Sequence, residues 1–181
     1  MKKFLSLVLF IFFYSTHSMT DERKIRLDNL FNDLKKNVPM SFEIEEKIWE
    51  IWSTHPSDQN LTELLAKGSY LMNNQRLQEA KIIFSRVIEK DPEWAEAWNK
   101  RATVLYLIGD YKNSQRDIDK VLKLEKRHFG ALAGQGLVNI ELKNYEKAIK
   151  SYQIANEIYP SMKSPTIMIK QLKDLIKKQS I

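Results

Sequence analysis

Slid against itself by 34 residues, the chain brings like side chains into register three times over. Gly68, Ala102 and Gly136 share one column, and Ala80, Ser114 and Ala148 a second, all of them small. Phe84, Ile118 and Tyr152 make a bulky third column, Leu64, Trp98 and Leu132 a fourth, and Val87, Val121 and Ala155 a fifth. A fixed period in this range marks a stacked array of one supersecondary unit, which buries its apolar face only against its neighbours. The physical reason lies in the sizes. Small residues at two places in each unit let two antiparallel helices approach closely, and the bulky residue fills the space left toward the next pair.

Between the columns the apolar spacing is helical, giving segments over 61–72, 77–90, 95–108, 111–125, 129–142 and 145–158. Asn73-Asn74-Gln75, Gly109-Asp110 and Lys143-Asn144 supply turns within each pair. Pro92 and Pro160 end the second helix of two units, because proline lacks an amide proton and restricts the residue before it. At Asp91-Pro92-Glu93 an N-cap acid, a proline and an acidic first turn open the following helix. Only five glycines and five prolines occur, too few for the turns of an all-β chain. The fold class is all-α.

Trp98…Arg101-Ala102…Leu105…Gly109-Asp110-Tyr111…Ser114…Ile118 and Gly136…Asn144-Tyr145-Glu146-Lys147-Ala148…Tyr152…Pro160, in this order and at this period, resemble the tetratricopeptide repeat family. The resemblance covers three repeats, 61–94, 95–128 and 129–162, and implies a right-handed α-α superhelix, a TPR solenoid. Two departures stand out. Lys126 sits where the pattern has proline, so a continuous or gently bent junction is expected there. Asn139 replaces a large apolar residue, which predicts looser local packing.

The flanks are helical too. Leu27, Leu30, Phe31 and Leu34 make one stripe and Ile44, Ile48, Ile51 and Trp52 another, with His55-Pro56 closing the second. Residues 20–57 therefore read as a degenerate helix pair stacked on repeat one. Ser164-Pro165 starts a C-terminal helix over 163–181, with Met168, Leu172, Leu175 and Ile176 on one face and Lys170, Lys173, Lys177 and Lys178 mostly opposite. That is a capping helix for the open end of a solenoid.

Residues 1–18 read as a secretory signal. Lys2 and Lys3 precede the apolar run Phe4 to Tyr14, and Ser15-Thr16-His17-Ser18 offers small residues for cleavage after Ser18. The run is shorter than the roughly 20 residues of a spanning helix, so the mature form is expected not to span a membrane. Export to the periplasm or outside the cell is the expectation, and an uncleaved N-terminal anchor is the alternative. Losing two lysines lowers the formal net charge from +6 to +4. The remaining charge is uneven: residues 129–181 carry 8 basic and 4 acidic groups, whereas 20–60 carry 6 and 9. The basic end suits acidic partners, an anionic membrane surface or simply a solvated helix face.

Catalytic chemistry finds no candidates. With no cysteine there is no thiolate zinc site, disulfide or thiol nucleophile. His55 and His128 fall at loops or junctions without a second ligand at metal spacing. Gly134-Gln135-Gly136 lies inside a helix, without the strand a phosphate loop needs, and reads as close helix contact. Glu45-Glu46 and Asp117/Asp119 do not converge and read as solvated or ion-paired groups. No cofactor is expected, nor the stacked-aromatic and basic pattern of nucleic-acid binding. Trp98 and Trp94 read as structural. Trp49 either packs at the front or stays partly exposed as an anchor for a partner.

What remains is recognition of another protein. The resemblance implies a concave groove lined by the first helix of each pair. Repeat one contributes Thr62, Leu65, Ser69, Met72 and Asn73, and repeat two Glu96, Asn99, Thr103, Tyr106 and Leu107. Repeat three contributes Gly130, Ala133, Leu137, Ile140 and Glu141. An apolar strip of Leu65, Tyr106, Leu137 and Ile140 suits a helix or extended peptide docked through a few anchors; packing within the chain would fill the same strip. Family members that grip a C-terminal carboxylate use lysine, asparagine and arginine. Only Asn99 matches, and Leu65, Ser69, Gly130 and Ala133 replace the others. The chain reads as a non-catalytic adaptor for a protein or peptide. The alternative is an assembly subunit of an envelope complex, docked through the N-terminal helices or the convex face. Oligomeric state leaves no mark in the sequence.

Overall fold

The computed structural model describes residues 22–36 and 39–179, so the expected signal segment lies outside the described residues. Those residues form helices throughout: α1 (22–35), α2 (Ser41–Ser53), α3 (Gln59–Asn73), α4 (Leu77–Lys90), α5 (Ala95–Leu107), α6 (Tyr111–Leu124), α7 (Phe129–Glu141), α8 (Tyr145–Ile158) and α9 (Lys163–Gln179). Helices α3 to α8 form three antiparallel pairs stacked in chain order, α4 on α5 and α6 on α7, and α9 packs on α8.

The three hairpins turn in the same way. Gln75, Gly109 and Lys143, each 34 residues from the next, adopt φ of 61°, 80° and 59°. The following amides reach back five residues, Arg76 to Leu71, Asp110 to Leu105 and Asn144 to Asn139, over 2.9, 2.9 and 2.7 Å. These bonds close a Schellman turn, whose left-handed residue is best served by glycine. Only repeat two has one. Lys143→Gly is therefore expected to raise stability by about 1 kcal/mol, moving the thermal midpoint up by roughly 2–4 °C. An unchanged midpoint would show that the turn is not strained.

Inside each pair the two columns of size are complementary. A Cβ added at Gly68 would lie 2.5 Å from the Phe84 ring, and one at Gly136 would lie 2.4 Å from the Tyr152 ring. Both rings are buried. Where the facing residue is Ile118, the small residue is Ala102. Glycine stands opposite an aromatic ring, and alanine opposite a branched aliphatic.

The junction between repeats two and three corrects one expectation. It is as sharp as the first, although Lys126 replaces proline. Helix α6 stops at Leu124, and the Glu125 carboxylate accepts from the Arg127 amide at 3.0 Å, just as Asp91 accepts from Glu93 at 2.9 Å. A side-chain-capped turn ends the helix without a proline. Asn139 also differs from expectation. It is buried, and its amide donates to the Gln135 carbonyl at 2.9 Å and the Gln115 side chain at 3.3 Å, so a polar network replaces the missing apolar contact. On the adjoining face Arg101 grips Asp117 through two bonds of 2.7 and 2.8 Å while lying over the Trp98 ring. Asp117 is thus an ion-pair partner.

The N-terminal helices account for the largest departure from a plain stack. Rather than resting only on repeat one, α1 and α2 lie across the edge where the first helices of repeats two and three begin. Phe31, Trp52, Phe129 and Tyr159 share one apolar cluster with Ile44, Ile48 and Ile51. Trp52 lies flat on the His128 ring, with centroids 4.0 Å apart and planes at 6°. Trp49 meets Trp52, His128 and Phe129 edge-on, so it packs within the chain. Polar contacts pin the same edge: Trp94 Nε1 donates to the Trp52 carbonyl at 2.8 Å, and the Tyr159 hydroxyl donates to Glu45 at 2.8 Å. Arg127 bonds Asp28 at 2.6 Å and covers the Phe31 ring. Aromatic faces too large for a single helix pair find their partners at this edge.

Candidate binding face

Each first helix presents its groove positions as two bands, and the structure treats the bands differently. The band near the helix starts is covered: Leu65, Glu96 and Asn99 are buried, and Gly130 lies directly under the Trp49 ring. The band near the helix ends is open. Thr103, Leu107 and Leu137 are exposed, with Ser69, Met72, Tyr106 and Ile140 half-buried beside them. Of the apolar strip expected from sequence, Tyr106, Leu137 and Ile140 remain accessible. Leu65 is core, packed with Leu61, Leu71 and Val104.

A slot of about 70 Å³ opens between α5 and α7, lined by Thr103, Tyr106, Gly130, Gly134 and Leu137 over a floor that includes Ala102 and Ile118. Gly134 makes it possible. A Cβ there would meet only the Ile118 side chain, at 3.8 Å, whereas Gly136 two residues on is filled by Tyr152. The two glycines read alike in sequence and do different things. The signal that separates them is the 34-residue column, which requires a small residue at Gly136 and not at Gly134.

The covered band is held by a buried polar cluster that sequence reasoning missed. His128 and Glu96 are both fully buried, with Nε2 and Oε2 3.0 Å apart. The other ring nitrogen, Nδ1, accepts from the Ala131 amide at 3.1 Å and so caps α7. Asn99 donates its amide to Glu96 Oε2 at 3.0 Å, and Lys100 lies 3.2 Å from Oε1. Burial alone would raise the Glu96 carboxyl, but the His128 ring and the Lys100 ammonium outweigh it and hold the group below the ordinary carboxylate range. His55 sits in a similar way at the preceding junction, its Nε2 2.8 Å from the Asp91 carboxylate and its Nδ1 accepting from the Asp58 amide at 2.9 Å. Both histidines are tied to structure.

The tetratricopeptide repeat profile matches residues 65–114 and 108–163. A TPR repeat-containing protein of Rhizobium etli is 31% identical over 140 residues, which is 76% of this chain and 68% of that protein. The chain belongs to the tetratricopeptide repeat family. Hsp70-Hsp90 organizing protein 1 of Glycine max is 26% identical over 48% of the chain, which spans only 15% of that protein's length. Among solved structures, the first TPR domain of Spaghetti (RPAP3), bound to an HSP90 peptide, superposes with a TM-score of 0.64 at 18% identity. The overlap covers 66% of this chain and 94% of that one. The all-helical TPR solenoid is thereby shown. The matched segment starts at residue 65, so the helices that cover half of the concave face lie outside the TPR match. Asn99, the one residue in common with the carboxylate-gripping pattern, is spent on Glu96. Among the described residues no helix is long and apolar enough to cross a membrane.

Proposed function

We propose that this TPR protein is an exported, non-catalytic adaptor that takes an apolar side chain of a protein or peptide into the slot between α5 and α7. One observation carries the reading: the concave band of Thr103, Tyr106, Leu107 and Leu137 stays open around a glycine-lined slot while the band near the helix starts is closed by the chain itself. A slot of that size suits a single aliphatic side chain of a docked helix or strand, with Tyr106 and Leu137 packing against its flanks. Export is supported by the N-terminal sequence pattern.

Gly134 gives a test in which binding and folding move in opposite directions. Gly134→Ala, in a helix interior with room for the methyl group, is expected to stabilise the fold by up to about 1 kcal/mol. Gly134→Leu fills the slot and is expected to abolish partner capture while the helical content, read by circular dichroism, is unchanged. In-cell crosslinking from Leu107 or Leu137, with mass spectrometry, supplies the partner for that assay. Undiminished capture by Gly134→Leu would exclude the slot. N-terminal sequencing of the protein from its native host tests export, with Met19 as the expected first residue.

A further inference from the structure

The docking of α1 against the junction of repeats two and three creates a second recess, which shares no lining residue with the concave slot. It is a cleft of about 660 Å³, walled by Arg23, Lys24, Lys123, Lys126 and Arg127 over an apolar floor of Leu27, Pro56 and Leu124. Five cations face one lining carboxylate, Glu125. That volume is within the range of about 300–1,000 Å³ typical of ligand clefts.

How these cations are used narrows what the cleft can hold. The two guanidinium groups are used to different extents, Arg127 through all three nitrogens and Arg23 through one bond. Arg127 Nε and Nη2 bond Glu125 at 2.9 Å each, and Nη1 bonds Asp28 at 2.6 Å. Arg23 donates to the Ile51 carbonyl. Arg127 therefore has no free planar fork for bidentate recognition of a phosphate, and Arg23 is tied to the backbone through one of its nitrogens. The three lysines are different: Lys24, Lys123 and Lys126 are exposed and form no ion pair among the described residues. They line the cleft as exposed point charges supplied by α1, the end of α6 and the junction. Lys126 is the residue that replaces the pattern's proline, and the Glu125 turn frees that position to carry a charge.

Separated ammonium groups around an apolar floor match carboxylates spaced along a chain with an aliphatic side chain between them, and match a single compact anion poorly. We propose that this cleft binds an acidic, aliphatic-containing segment of a partner polypeptide. It gives the adaptor a second contact, read by charge, beside the apolar slot.

The test uses the mature full chain and a fluorescein-labelled peptide in which pairs of glutamates alternate with leucine, followed by anisotropy. Lys123→Glu with Lys126→Glu is expected to weaken binding about tenfold or more, and Lys24→Glu to weaken it in the same direction. Lys170→Glu with Lys173→Glu makes the same charge change on exposed positions of α9 and is expected to alter affinity less than about twofold. Binding should fall as salt rises, and the same peptide with glutamine for glutamate should not bind. All substituted lysines are exposed, so unchanged circular dichroism is expected and confirms that the readout is binding. Equal weakening by the α9 pair, retained binding of the glutamine peptide or no binding of the glutamate peptide overturns the proposal. Displacement by inorganic phosphate, or preferential binding to phosphatidylglycerol vesicles, also overturns it and assigns the cleft to a phosphate group.

Discussion

Gly136→Ala is expected to destabilise the protein by about 3 kcal/mol, lowering the thermal midpoint by roughly 6–12 °C. The added methyl group would stand 2.4 Å from the Tyr152 ring, and that ring is buried and cannot swing into solvent. Helix propensity pulls the other way, since alanine favours a helix over glycine by about 1 kcal/mol, so the sign of the result decides between them. Gly68→Ala meets the Phe84 ring at 2.5 Å and should behave likewise. Repeat two suggests the cure. Gly136→Ala combined with Tyr152→Ile reproduces the Ala102–Ile118 arrangement, and its loss should be smaller than the sum of the single losses by about 1 kcal/mol or more. Thermal or urea unfolding of the four proteins in this cycle reads the coupling. Strict additivity would mean that the two columns are not matched.

Glu96→Ala is expected to cost about 3–5 kcal/mol. It leaves the His128 ring and the Asn99 amide buried beside a void, although Lys100, partly exposed, can turn to water. Glu96→Gln keeps an oxygen acceptor and should lose less. The charged form of Glu96 also makes stability depend on pH. Its carboxyl is held below the range it has in the unfolded chain, so the contribution is complete above that range, at about pH 4.5 and upward. It is lost as the pH falls through the lower folded value, because the unfolded chain takes up the proton first. Urea unfolding from pH 7 down to pH 3 should show this loss in the natural protein and a shallower one in Glu96→Gln. Identical slopes would remove Glu96 as the cause.

The repeats were legible because they are enforced column by column. A small residue, a bulky partner and a turn recur every 34 positions, and any error in one unit is corrected by the others. The covering of half the concave face was not legible. Trp49, Trp52 and Phe31 declare themselves as apolar stripes, but nothing periodic ties them to His128, Phe129 or Tyr159, whose distance along the chain carries no pattern. His128 illustrates the limit. In register it falls under Trp94, a junction position, and its burial follows only from the indole stacked on it. The sharp second junction was legible in retrospect from one coincidence: Asp91 and Glu125 are in register, so the acid and not the proline is the common element. The open band of the groove was found because the TPR resemblance fixes which helix faces inward. Its narrowing to Thr103, Tyr106, Leu107 and Leu137 required knowing where α2 lies.

That placement of α2 can be measured directly, because the chain contains no cysteine and single cysteines report cleanly on access. Asn99→Cys, Thr103→Cys and Leu137→Cys are compared for their rates of reaction with a maleimide under native conditions. The cysteine at position 99 should react at least about tenfold more slowly than those at 103 and 137, and adding Trp52→Ala should remove most of that protection. Equal rates at all three positions in the otherwise natural chain would contradict a concave face half filled by the N-terminal helices.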